Sequence, residues 1–455
     1  MKHVQIWLGK LFLSSTLLLS GLSLAQSEPE NCVNINQRQA LIEQYIEQAP
    51  YRQAREGGSA HFSYQLQQSY PQYLDYARQV IAERNPRANM QCPLSTTTYR
   101  WLAKQQQWQG KANVQQLLAP FQLTHPNKQK LVLLIHGLTD SPFHFHDLAW
   151  QFYQQGFDVR TLLLPGHATA PSDLLKVTYQ QWQQAADYAI ERSLKDYSQV
   201  YLGGFSTGGA LILSHLLANP QHAAQVQGVM LWSPASKAHS GLAWLAKYVS
   251  WFSRWLDKEG DVDFAKYESF AYNAGAQVND LMNHLNKQFR NSKHLPNVPL
   301  LVVASEQDQT IDTRATLAIL EQWHQPAKRS ATAQDMLIYY GDPASIPATL
   351  AKDLSISTPR CATASCEAIQ GIAHTATINA PSNAHYGENG DYRNCSHYLK
   401  NLKRYAQCKQ DSDVVKGEIS EQNLSRNPKL QRLSYNPYFQ QMLGSIQQFI
   451  AATEQ

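Results

Sequence analysis

Two apolar patterns alternate along the middle of the chain. Leu131 to Ile135 is continuously apolar and too short for an ordinary helix, which predicts a strand buried on both faces. Phe157 to Leu164, Val200 to Leu202, Gln227 to Trp232 and Val298 to Ser305 read the same way, and Thr375 to Ala380 reads as the last strand. Helical periodicity separates them at Phe145 to Gln155, at Thr178 to Leu194 and from Ala210 to Leu213 onward, and Pro437 to Thr453 is a closing helix. Strands alternating with helices imply right-handed crossovers, giving an α/β architecture with a mainly parallel sheet and helices on both faces. Chemistry in such sheets sits at the carboxyl ends of the strands.

The flanks differ. Residues 26–94 form a helical N-terminal extension, carried by Ile35, Leu41, Ile42, Tyr45 and Ile46 and then by Tyr73, Leu74, Tyr76, Ala77, Val80 and Ile81. Residues 95–124 supply one or two edge strands, and 95–455 make up the main domain. About 60 residues separate the strands ending near Trp232 and starting near Val298, far more than the usual connection of about 2 to 6. This cap insertion, 236–297, has one helical face of Leu242, Leu245, Tyr248, Val249, Phe252, Trp255 and Leu256, and another of Val278, Leu281, Met282 and Leu285. Those faces either line an apolar pocket or pack the cap on the core. A second insertion, 321–374, carries Cys361 and Cys366.

The sharpest local signal is Gly204-Phe205-Ser206-Thr207-Gly208, a G-x-S-x-G pentapeptide between a predicted strand and a helix-competent run. Glycines on both sides of the serine remove the Cβ atoms that would clash in a tight reversal, so Ser206 can stand exposed at the apex of a nucleophile elbow. A serine hydroxyl is a poor nucleophile near neutral pH and needs a base, for which histidine is the suitable type.

Composition narrows the setting. The chain has 455 residues, 43% hydrophobic and 16% charged, with a formal net charge of +4 that falls to about +2 without Lys2 and Lys10, leaving no electrostatic footprint for nucleic acid. Those two lysines, the apolar run Leu11 to Leu24 and the small residues Ser23 and Ala25 read as a secretory signal peptide over 1–25, with a retained membrane anchor as the rival although the Ser-interrupted run is short for a bilayer span of about 20 residues. Removal of the signal peptide leaves no integral membrane segment in the mature chain and implies a periplasmic or extracellular protein. Six cysteines in an oxidising compartment favour disulfides, and nearness in sequence pairs Cys32 with Cys92, Cys361 with Cys366 and Cys395 with Cys408. Zinc is the competing use, but neither C-x-x-C pairs nor H-E-x-x-H occur.

LLIHGLTDSP after the first buried strand, LLPGHA after the second, GFSTGG at the elbow and LLVVASEQD before a presumed acid come in one order. With these four motifs the chain resembles the α/β-hydrolases of the carboxylesterase and monoacylglycerol-lipase-like group, over about 131–390 and the last helix. The resemblance implies the α/β-hydrolase fold, a Ser-His-Asp triad, a small-molecule ester or acyl substrate, and neither cofactor nor metal. A peptidase on the same triad is the alternative activity, and a non-catalytic binding protein on this scaffold a third reading. Family order puts the histidine after the last strand, which makes His385 the base, His374 the reserve and His397 more distant. Asp308 takes the acid position, with Glu306 and Asp312 as rivals that otherwise cap or solvate the loop. The oxyanion donors fall on the backbone amides of Leu138 and Thr207, while His136 and His167 make local hydrogen bonds.

Overall fold

The computed structural model describes residues 29–58, 60–127, 130–240, 253–324, 334–361 and 364–454. The expected signal peptide, the part of the first cap face from Leu242 to Phe252 and the stretch 325–333 lie outside them, while Trp255 and Leu256, expected on that same helical face, lie in the short strand Trp255–Asp257.

The apolar runs become one eight-stranded sheet. Its strands are β1 (Gln122–Leu123), β2 (Lys130–Ile135), β3 (Phe157–Leu162), β4 (Gln199–Phe205), β5 (Val226–Trp232), β6 (Leu300–Ser305), β7 (Met336–Tyr340) and β8 (Ser355–Ser357), in the order β8-β7-β6-β5-β4-β2-β3-β1. Every pairing is parallel except β1 with β3. Alternation explains why the strands read as unbroken apolar runs. Leu131, Leu133 and Ile135 of β2 face a core that includes Trp182, Ile190 and Leu211, while Val132 and Leu134 face the opposite core with Phe152, Leu443 and Phe449. The helices Tyr179–Asp196 and Thr207–Ala218 thus cover one face, and His146–Gln154 and Phe439–Thr453 the other.

The sheet edge at β3 is closed by side chains of the N-terminal extension. Ser69 and Gln72 form a reciprocal capping box that starts the helix Tyr70–Arg84. The Tyr70 hydroxyl donates to Thr161 O at 2.6 Å and accepts from Thr161 N, and Tyr73 does the same at Leu163, donating at 3.1 Å and accepting at 2.7 Å. Two tyrosines therefore satisfy backbone groups that β1, only two residues long, leaves open. The extension is further tied by Cys32–Cys92, and the other two disulfides are Cys361–Cys366 and Cys395–Cys408, the pairings expected from proximity.

Three expectations change. Thr375 to Ala380 is not a strand: His374–Ile378 forms a 3₁₀ turn. The stretch 321–374 contains the sheet strands β7 and β8 and is therefore not simply an insertion. Within 95–124, Thr97–Gln105 and Val114–Leu118 are helices, and only β1 joins the main sheet as an edge. In the cap, Val278, Leu281, Met282 and Leu285 lie on the helix Tyr272–Asn291 and are buried in the core shared with the helix after Ser206. Their apolar stripe holds the cap on the domain.

Candidate active site

Ser206 follows β4 and precedes the helix Thr207–Ala218, with φ +50° and ψ −114°, a conformation that L-residues avoid unless their surroundings enforce it. The surroundings do so through close backbone packing. A Cβ on Gly208 would collide with Ile135 O, and one on Gly204 would lie 2.6 Å from Gly209 N. Both glycines are required by contact, since neither position has room for a β-carbon. Ser206 N donates to Trp232 O of β5 at 2.9 Å, which fixes the elbow to the neighbouring strand.

His374 Nε2 is 3.0 Å from Ser206 Oγ, and His374 Nδ1 is 2.6 Å from Asp308 Oδ2. A carboxylate can only accept, so Nδ1 carries the proton and Nε2 is free to accept from the serine hydroxyl. Asp308 Oδ1 also accepts from Thr310 N and Ile311 N, each at 2.8 Å. Burial alone would raise the Asp308 pKa, but His374 and its hydrogen bond together with these two amides hold it below the usual carboxylate range. All three side chains are buried, and Ser206 keeps 7% of its surface exposed.

The histidine expected to be the base is elsewhere. His385 is fully buried, with Nδ1 2.9 Å from Asp391 Oδ1 and Nε2 3.0 Å from Asp263 Oδ1. Burial works against its charge, yet Asp391 and Asp263 overcome it and raise the pKa to about 9, so the imidazolium donates from both nitrogens. A ring in that state has no lone pair to accept a proton, and His385 is corrected from catalytic base to the centre of a buried ionic cluster. The reserve histidine, His374, takes the place beside Ser206. His397 bonds the Leu430 carbonyl instead.

The missed signal was Met336 to Tyr340, an apolar run ended by Gly341-Asp342-Pro343. Recognising it as β7 would have made His374 the first histidine past the sheet. The two rival acids and the two motif histidines make local contacts. Asp312 caps the helix Thr313–Trp323, and Glu306 accepts from Asp342 N and Ser345 Oγ. His136 Nδ1 bonds Gly137 O, and His167 Nε2 accepts from Thr139 N. Burial lowers their pKa values to about 3 and about 4, keeping both neutral.

Glu418 was not foreseen at all. Its buried carboxylate accepts from His374 N at 3.2 Å and Gln309 N at 3.4 Å while paired with Arg432 Nε at 2.9 Å, so one side chain joins the acid loop to the turn that carries the imidazole. It lies 44 residues from His374 and 109 from Gln309 in sequence, and no local motif marks it.

Ser206 follows β4, Asp308 follows β6 and His374 follows β8, all at the carboxyl edge of one mainly parallel sheet. The chain has the α/β-hydrolase fold. Residues 126–268, about a third of the chain, match the Hydrolase_4 family, described as serine aminopeptidase, S33. The thermostable monoacylglycerol lipase of Bacillus sp. (strain H-257) is 29% identical over 82 residues, which are 18% of this chain and 33% of the lipase. The chain thus matches about a third of the length of that relative. Among solved structures, one of two metagenome-derived lipolytic enzymes is 19% identical, with a TM-score of 0.41 and coverage of 50% of this chain and 88% of the other. A soluble variant of the Saccharomyces cerevisiae monoglyceride lipase is 15% identical, with a TM-score of 0.39 and coverage of 49% and 81%. Among the described residues no group of three or more His, Cys, Asp and Glu is arranged to hold a metal ion, and no helix is long and apolar enough to cross a membrane.

Proposed function

We propose that this α/β-hydrolase cleaves carboxylic esters through an acyl-Ser206 intermediate. The observation that carries the reading is the continuous relay from Ser206 Oγ through His374 to Asp308. His374 Nε2 takes the hydroxyl proton as Oγ attacks the ester carbonyl, and the C=O electrons move to the oxygen. When the tetrahedral adduct collapses, the C–O bond to the alcohol breaks and His374 returns the proton to the leaving oxygen. Water then attacks the acyl-serine by the same route and regenerates Ser206. Asp308 holds the ring and stabilises the imidazolium.

The developing oxyanion needs donors that are in place beforehand. Thr207 is the first residue of the elbow helix, where backbone N–H groups lack intrahelical acceptors and the helix dipole favours negative charge. Its amide and that of Leu138, after Gly137, are the proposed pair, each worth roughly 3 kcal/mol in comparable sites. The three disulfides support secretion, with residues 1–25 as the signal peptide.

The aminopeptidase description of the matched family favours a second reading, cleavage of an aminoacyl amide on the same groups. Fluorophosphonate labelling of wild type against Ser206→Ala tests the nucleophile, with label expected on wild type alone. Turnover of short acyl esters, monoacylglycerols and aminoacyl amides then separates the activities, and a preference for the amide would reject the ester reading. A folded wild type that takes no label would point to a non-catalytic scaffold.

A further inference from the structure

The cap places a lysine on a carboxylate next to the proposed oxyanion loop. Asp140, 1% exposed, accepts from Lys266 Nζ at 2.6 Å through Oδ1, with His144 Nε2 at 3.6 Å. Its Oδ2 is buried and, among the described residues, has no hydrogen-bond partner. A β-carbon on Gly137 would lie only 2.7 Å from that oxygen. The carboxylate therefore stands over the residue whose peptide bond supplies the Leu138 amide. Burial would raise the Asp140 pKa, but Lys266 and His144 bring it down to about 2, so the group is ionised. Burial keeps His144 below its ordinary pKa, which leaves Lys266 as the compensating cation.

The same cap segment fixes the loop. Tyr267 N donates to Thr139 O at 2.9 Å and Ser141 Oγ donates to Ala265 O at 2.8 Å. Thr139, at φ +67°, is held from its other side by His167. Asp140 N closes the turn on Gly137 O at 3.3 Å. A fixed negative charge beside an oxyanion site opposes the charge that forms there, and burial away from water strengthens that opposition.

We infer that Lys266 is a positioning residue contributed by the cap: by neutralising Asp140 and docking its neighbours on the 137–141 loop, it makes the Leu138 amide able to receive the oxyanion. The inference rests on the ester-hydrolase reading of Ser206. Lys266→Met in the full-length protein is expected to lower kcat for a short-chain p-nitrophenyl ester, and the rate of fluorophosphonate labelling, by about 10- to 100-fold with KM nearly unchanged. Adding Asp140→Asn to Lys266→Met is expected to recover at least tenfold of the labelling rate, because it removes the uncompensated charge. Asp140→Asn alone, which leaves the cation, is expected to raise the rate about two- to fivefold.

A purely structural salt bridge predicts the reverse, with both single variants equally impaired and no recovery in the double variant, and that result overturns the inference. Wild-type rates in Lys266→Met overturn it too. If Lys266→Met does not fold, the single Asp140→Asn still decides: a fall in labelling rate overturns the inference and a rise supports it. Wild type that takes no label rejects the reading of Ser206 itself, whereas labelling that is indifferent to position 266 rejects only the role of Lys266.

Discussion

Two buried histidines, eleven residues apart in sequence, meet carboxylates in opposite ways. His374 has one carboxylate on Nδ1 and a hydroxyl on Nε2, whereas His385 has a carboxylate on each nitrogen. The first arrangement leaves a lone pair beside the Ser206 hydroxyl, the proposed nucleophile. The second saturates both nitrogens and holds the ring as a cation. Asp263 comes from the cap, Asp391 from the loop after His385, and Tyr386 donates to Asp263 Oδ2 at 2.7 Å, so the second cluster fastens the cap to the C-terminal part of the domain. Histidine near aspartate is therefore no signature of catalysis. What separates the two is the number of acceptors and what else the ring touches.

The largest effect that can test this contrast is on turnover. His374→Ala removes the base and should lower kcat at least about 10³-fold, with fluorophosphonate labelling reduced in parallel while the fold persists. His385→Leu should leave labelling of Ser206 largely intact below its unfolding transition. If His385→Leu abolished labelling in a folded protein and His374→Ala did not, the two roles would have to be exchanged.

The His385 variant should instead show its effect in stability. It leaves Asp263 and Asp391 buried without their shared cation, a loss of about 3–5 kcal/mol measured by urea denaturation at pH 7. The pH dependence gives a sharper measure. The folded pKa of His385, about 9, lies above its ordinary value of 6.5. Its contribution is thus complete below about pH 6.5 and is lost as pH rises through about 9, on the order of 3 kcal/mol in all. Glu268 and Lys409 also belong to this buried network, Tyr386 and Tyr392 flank the ring, and His144 and Asp140 face it from the loop after β2. Wild type alone would mix their titrations with that of His385. The difference between wild type and His385→Leu isolates it, and that difference should narrow between pH 7 and 10. A constant difference would mean that His385 is not held as a cation.

Conformation is legible in the sequence where a local pattern dictates it. The β2 and β4 runs, the G-x-S-x-G reversal and the helix after it need only neighbouring residues to specify them, and the same holds for the Asp308 loop after β6. Conformation is not legible where position depends on distant partners. Thr375 to Ala380 has the alternating apolar content of a strand but docks as a 3₁₀ turn beside Asp308 and Glu418, and β8 is only three residues long. Once the last strand was placed too late in the chain, the histidine following it was the wrong one. The buried cluster was illegible for the same reason: Asp263 and His385 are 122 residues apart and meet only in the folded chain.

The smallest expected effect probes the backbone rather than a side chain. If the oxyanion is held by the amide of Leu138, then Leu138→Ala keeps the donor, and kcat should stay within about threefold of wild type. The side chain is only partly buried and packs at the margin of the core, so the change should alter stability by less than about 1 kcal/mol. Gly137→Ala, next to it, should behave differently. Its added β-carbon would meet Asp140 Oδ2 at 2.7 Å and the Phe205 ring at 2.9 Å, displacing the loop that orients that amide. Parallel kinetics on the two variants should show a loss confined to Gly137→Ala. A comparable loss in Leu138→Ala would shift the contribution from the amide to the leucine side chain as part of the substrate pocket.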